Sequence, residues 1–127
     1  MKKNILNLMI VICLCMFTKY YSQNGQVTMS PNMVITVYAD QIDQLSESYT
    51  LDIPDLTFKS EKDLQKFCKV MSFDFYTLSG DYETKQMKIS FNKKSLLERQ
   101  FTIEKMNTFF LHLSGRLKSV YKKINQL

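Results

Sequence analysis

The chain is poor in the residues from which catalytic and cofactor motifs are commonly built. It has three glycines, two prolines, one histidine, three cysteines and no tryptophan in 127 residues. Phosphate cradles need several glycines within one short loop. Gly25, Gly80 and Gly115 lie far apart in sequence, so no such loop exists. His112 is the only histidine, and any Ser-His or Cys-His catalytic pair would have to use it. One histidine and one cysteine cannot complete a zinc site without carboxylates. The pairs Asp40/Asp43, Asp52/Asp55 and Asp81/Glu83 lack the alternating oxygen ligands and central glycine of a calcium loop. They read as turn chemistry on a solvated surface. Neither a metal nor a cofactor is expected.

What the N-terminus does carry is an export signal. Lys2 and Lys3 give a positive start, and Ile5 to Phe17 is apolar except for Asn7. Polarity returns at Thr18 and Lys19, and Ser22 is a small residue suited to cleavage. The apolar run of about 13 residues covers about 20 Å as a helix, short of the ~30 Å hydrocarbon layer. Residues 1–22 are therefore read as a signal peptide, with the mature chain starting near Gln23 or Gly25. An uncleaved membrane anchor over residues 4–17, closed by a snorkelling Lys19, is the alternative. A lipid anchor needs a small residue before its cysteine. Cys13 follows Ile12 and Cys15 follows Leu14, so neither qualifies. Export places the mature chain in a periplasmic or extracellular compartment. Scarce Gly, Pro and Ala beside abundant Lys, Asn, Ile, Phe and Tyr suggest an AT-rich coding bias and a bacterial source.

Loss of the leader changes both the thiol and the charge arguments. Cys68 alone remains, so no internal disulfide forms and the domain must stand on its hydrophobic core. Removing Lys2, Lys3 and Lys19 from 17 basic residues leaves 14 against 12 acidic ones, a net +2. That is too little to argue for nucleic acid. Phe73, Phe75 and Tyr76 also lack the flanking glycines and basic residues of a base-stacking sheet. The distribution of charge says more. From Gln23 to Phe58 there are five acids and no Lys or Arg, whereas all 14 basic residues follow from Lys59 onward. Attraction between the two halves within one domain accounts for this most simply. A charged partner site is the sharper alternative.

Residues 23–32 read as an irregular lead-in, with a short strand at Val27 and Met29, before a single α+β domain over 33–127. Met33, Ile35 and Val37 alternate with Val34, Thr36 and Tyr38, and both sets are apolar enough for a central strand. Tyr49, Leu51 and Ile53 alternate again up to Pro54. Ser60 caps a helix whose Leu64, Phe67, Cys68 and Met71 form one buried stripe, which makes Cys68 a core residue. Phe73 to Tyr76 and Met87 to Phe91 read as two strands of a hairpin turning at Ser79-Gly80-Asp81. Asn92 to Gln100 is a basic connection with a helical turn at Ser95 to Arg99. Thr102 then caps a long helix with Ile103, Met106, Phe110, Leu113, Leu117, Val120 and Ile124 on one face. Its flanking positions offer no alternating charges, which argues against a coiled coil. The expected fold is a small antiparallel sheet of about four strands packed by two helices, the C-terminal one long and amphipathic.

The outer side of that last helix supplies the candidate surface. Leu111, Gly115 and Lys118 share it, and a partner, a second copy of the chain or the N-terminal segment would fit there. Arg116, Lys118, Lys122 and Lys123 would suit an anionic membrane surface. The leading expectation is a non-enzymatic exported domain that binds a protein partner or scaffolds. A peripheral membrane-surface protein is the alternative. A hydrolase comes third and would need His112, Cys68 and a carboxylate to converge.

Overall fold

The computed structural model describes residues 25–126, together with Asn4, Ile5, Asn7 and Met9. The remainder of the expected signal, including its cleavage region, lies outside the described residues. The first hairpin pairs β1 (Gln26–Met29) with β2 (Ile35–Tyr38), antiparallel, with Gln26 opposite Tyr38 and Met29 opposite Ile35. β1 falls at the Val27 and Met29 positions anticipated for a short strand. The turn is tied by Met33 N donating to Ser30 O at 2.8 Å and Ser30 N to Val34 O at 3.0 Å. Met33 takes a left-handed φ of 61° there.

The second sheet has β5 (Gln86–Phe91) at its centre, flanked by β3 (Ser48–Asp52) and β4 (Tyr76–Asp81). Both pairings are antiparallel. A 3-10 turn at Ile42–Gln44 links the two sheets, and α1 (Glu61–Met71) connects β3 to β4. α2 (Lys93–Glu98) and α3 (Ile103–Asn125) complete the chain. The architecture is α+β, as the sequence pattern implies. The five strands among the described residues form two small sheets, with β1 lying beside β3 but not bonded to it.

Alternation decides what is buried. Ile35 and Val37 on β2, Leu51 on β3, Leu78 on β4 and Met87 and Ile89 on β5 all enter one core. α1 covers β4, while α3 lies across β2 and touches α1. From α1 come Leu64, Phe67, Cys68 and Met71, the stripe read from the sequence. α3 buries Met106, Phe110, Leu113 and Leu117, with Ile103, Val120 and Ile124 half-buried towards its ends. Both caps form as expected. Ser60 Oγ accepts from Asp63 N and Thr102 Oγ1 from Lys105 N, each at 3.2 Å.

Three local expectations are corrected. The hairpin turn sits at 82–85, beyond Gly80, with Asp81 paired to Gln86. Gly80 is inside β4 because a Cβ there would meet Leu64 Cγ and Cδ1 at 2.7 Å. It is small so that α1 can lie close, and the strand runs straight through it. Phe73 to Tyr76 is a tight turn closed by a Phe73–Tyr76 bridge, so β4 starts only at Tyr76. α2 begins at Lys93, two residues before the expected turn, because Asn92 Oδ1 caps it by accepting from Ser95 N at 3.1 Å.

β2 also differs from the central strand its apolar composition suggested. It pairs on one side with β1, and on the other Asn107 of α3 stands in for a strand. Val37 N donates to Asn107 Oδ1 at 2.8 Å, and Asn107 Nδ2 donates to Val37 O at 2.9 Å. β4 is treated similarly by α1 and the residue after it. Leu78 N donates to Ser72 Oγ at 2.9 Å, and Gln65 Nε2 donates to Gly80 O at 3.1 Å. Helix-borne side chains thus occupy strand edges that would otherwise recruit another chain.

Candidate functional site

The expected surface on α3 is exposed along its length. Leu111, Gly115, Arg116, Lys118, Lys122 and Lys123 are all solvent-facing, and Leu111 is 58% exposed. Among the described residues, no atom beyond Gly115's own stretch of helix lies within 4 Å of a Cβ built on it. Among the described residues nothing packs on this side. Arg116 turns away from the others, with its guanidinium 6.0 Å from the centre of the Phe73 ring. Lys118 and Lys122 stand in line with Leu111 and Gly115, while Lys123, one residue on, is turned about 100° round the helix; all three are exposed.

The residues that a hydrolase would need are not brought together. Cys68 is buried on the core side of α1, whereas His112 faces solvent on α3. Burial pushes the Cys68 thiol up to about 11, which keeps it protonated and unreactive at neutral pH. No group of three or more metal-ligating side chains occurs among the described residues. Asp81 behaves as turn chemistry, since its Oδ1 accepts from Glu83 N at 3.0 Å and Thr84 N at 3.1 Å.

A concavity lies elsewhere, where the 53–58 loop faces the β4–β5 turn. It is a cleft of about 410 Å³. Ile53, Leu56, Phe58 and Leu64 give it an apolar floor, and Asp81, Tyr82, Glu83 and Lys85 form the opposite rim. A shallower groove of about 230 Å³ adjoins it. That groove shares Ile53 and Leu56 with the cleft, and runs past Pro54 and Asp55 to Met29 and Pro31 at the first hairpin.

Local chemistry builds both walls. Leu56 N donates to Ile53 O at 3.0 Å, closing a β-turn with Pro54 at its second position. The turn brings Ile53 and Leu56 together on the floor and leaves Asp55 exposed outside. Ile53 N also donates to Lys85 O at 3.2 Å, which fixes the loop against the β4–β5 turn. Tyr121 of α3 pins the next stretch: its hydroxyl accepts from Thr57 N and donates to Thr57 O, both at 3.0 Å. The Phe58 ring is held between Phe67 and Tyr121, each with its centroid 5.4 Å away. Tyr82 stands on the rim, 41% exposed, with its hydroxyl donating to Lys59 O at 3.4 Å.

This groove was not visible in the sequence. Its floor draws on a loop and a helix, and its rim on a hairpin turn, with Leu64 and Tyr82 far apart in the chain. The nearest sequence signal was Pro54 between Asp52 and Asp55. Compared with family models, curated proteins and solved structures, the chain matches none.

Proposed function

We propose that the chain is a small exported, non-enzymatic domain that acts by binding a protein partner, and that the groove at the 53–58 loop receives a segment of that partner. One observation carries this reading. The groove is a preformed cleft with an apolar base at Ile53, Leu56 and Leu64 and an aromatic rim at Tyr82, held in shape by Tyr121 and the Pro54 turn. Its volume falls within the range of ordinary ligand sites, about 300–1,000 Å³. An apolar base with a few fixed polar groups at its rim suits the capture of a side chain.

The test is peptide display against the protein as recovered after export, followed by amide chemical-shift mapping of the enriched peptides. The expected outcome is perturbation at Leu56, Thr57, Phe58 and Tyr82. Perturbation confined to other surfaces would refute the groove's role. Export itself is tested by intact mass and N-terminal sequence from fractionated cells. A chain starting near Gln23 supports it, and a full-length chain in the membrane fraction overturns it.

A second reading is supported by the exposed row on α3. Leu111 in line with Lys118 and Lys122, with Lys123 further round the helix, is the chemistry of a helix resting on an anionic membrane surface. No helix among the described residues is long and apolar enough to cross a membrane. Pelleting with anionic vesicles tests the surface reading, since binding by this row should fade as salt rises.

A further inference from the structure

We infer that the segment received by the groove is basic as well as apolar: an extended peptide that places one aliphatic or aromatic side chain in the cleft and lysine or arginine beside it. This rests on the groove being the partner-binding surface, and it adds the partner's chemistry. The charge around the groove supplies the argument. Asp52 and Asp55 border its shallow part, and Asp81 and Glu83 border the cleft, while Lys85 is the one cation among the lining residues. All four carboxylates are exposed at the rim while Ile53 and Leu56 form the floor between them.

Among the described residues no cation forms an ion pair with these carboxylates. The acid-only stretch before Lys59 invites pairing with the basic remainder. Yet the ion pairs among the described residues are Lys94 with Glu98 and Arg99 with Asp74. Neither uses an acid from that stretch, and neither uses Asp81 or Glu83. Asp52 and Asp81 accept hydrogen bonds only from neutral donors, Gln86 Nε2 and the backbone of the β4–β5 turn. Such contacts orient the carboxylates and leave their charge uncompensated. A rim of fixed negative charge around a low-dielectric floor attracts a cationic segment and repels an acidic one. A peptide that brought an apolar side chain alone would bury the floor but leave the rim unanswered.

The test titrates the full chain, as recovered from cells, with two defined probes. One is a short peptide of alternating lysine and leucine around a central phenylalanine, and the other carries glutamate in place of each lysine. Amide shifts report where each binds. The expected result is that the lysine peptide perturbs Leu56, Phe58 and Tyr82. It should bind at least about tenfold tighter than the glutamate peptide. That preference should collapse between about 0.1 M and about 1 M salt, as the screening length falls from ~10 Å to ~3 Å. The exposed pair of substitutions Asp55→Asn and Glu83→Gln should shrink the preference without unfolding the domain. Equal binding of both peptides in the groove would overturn the basic-partner inference while leaving the groove intact as a binding surface. Shifts from neither peptide would overturn the groove itself. Lysine-peptide binding that maps outside the groove, or self-association through α3 filling it, would also overturn the inference.

Discussion

The interface between α1 and β4 and the outer side of α3 each contain a glycine, and the two glycines are there for opposite reasons. At Gly80 the neighbouring helix is so close that a single added carbon would strike three atoms of Leu64 at 2.7–2.8 Å. At Gly115 the same carbon would meet nothing within 4 Å among the described residues beyond its own stretch of helix. One region is packed to its limit, and the other is a bare surface that spends helix stability without a packing return. The difference separates what holds the fold from what remains free to act. The core, the caps and the strand-edge clamps are engaged, whereas among the described residues the lysines on the outer side of α3 and the acids of the groove rim form no ion pair.

The packed side should respond most to substitution. Phe110 is fully buried on α3 and stacks edge-on to Tyr76 at 5.3 Å and Phe109 at 5.6 Å. Phe110→Ala should cost about 3–5 kcal/mol, a transfer loss plus an unfilled cavity. Urea unfolding measures it directly. A loss below about 1 kcal/mol would mean the helix is not seated on the core as described. Gly80→Ala comes next. Leu64 is itself buried, so its side chain cannot simply swing into solvent. The overpacking should cost about 1–3 kcal/mol. A neutral result would show that α1 can lift away from β4.

Asn107 sharpens the same contrast at a strand edge. Asn107→Ala would leave both polar groups of Val37 without the partners that hold them at 2.8 and 2.9 Å. The expected cost is about 1–2 kcal/mol, because the site is only part-buried and water can replace some of the bonding. The variant should also self-associate more readily, since the β2 edge is then open to pairing. Unfolding curves combined with sedimentation at two concentrations would separate the two effects. Unchanged stability together with unchanged sedimentation would show that the amide clamp does nothing for β2.

Much of this packing was legible because it follows short periods. The stripes Leu64–Met71 and Ile103–Ile124, the caps Ser60 and Thr102, and the alternation at Met33, Ile35 and Val37 all rest on neighbours within one or two turns. Gly80 misled because the chain records only that a glycine is needed, and both a turn and a close helix create that need. β2 misled because strand centrality depends on what lies beside it, and the neighbour is an amide from a distant helix. The groove was hidden for the same reason, as its floor and rim come from separate segments. The α3 row, by contrast, was readable in full: helical period alone places Leu111, Gly115 and Lys118 together, and the structure leaves them exposed.

Gly115 provides the smallest and most discriminating change. A glycine inside a helix costs about 1 kcal/mol relative to alanine, through backbone freedom lost on folding. With open space around it, Gly115→Ala should stabilise the protein by about 0.5–1 kcal/mol and raise Tm by a few degrees. The gain should persist in the isolated protein at any concentration. If the substitution instead destabilises, or stabilises the dilute protein but weakens it as concentration rises, some surface approaches Gly115 closely in solution. Dependence on concentration would make that surface a second copy of the chain, and destabilisation at every concentration would make it a segment of the same chain; in either case the contrast with Gly80 would reverse, and both glycines would be seats for close packing.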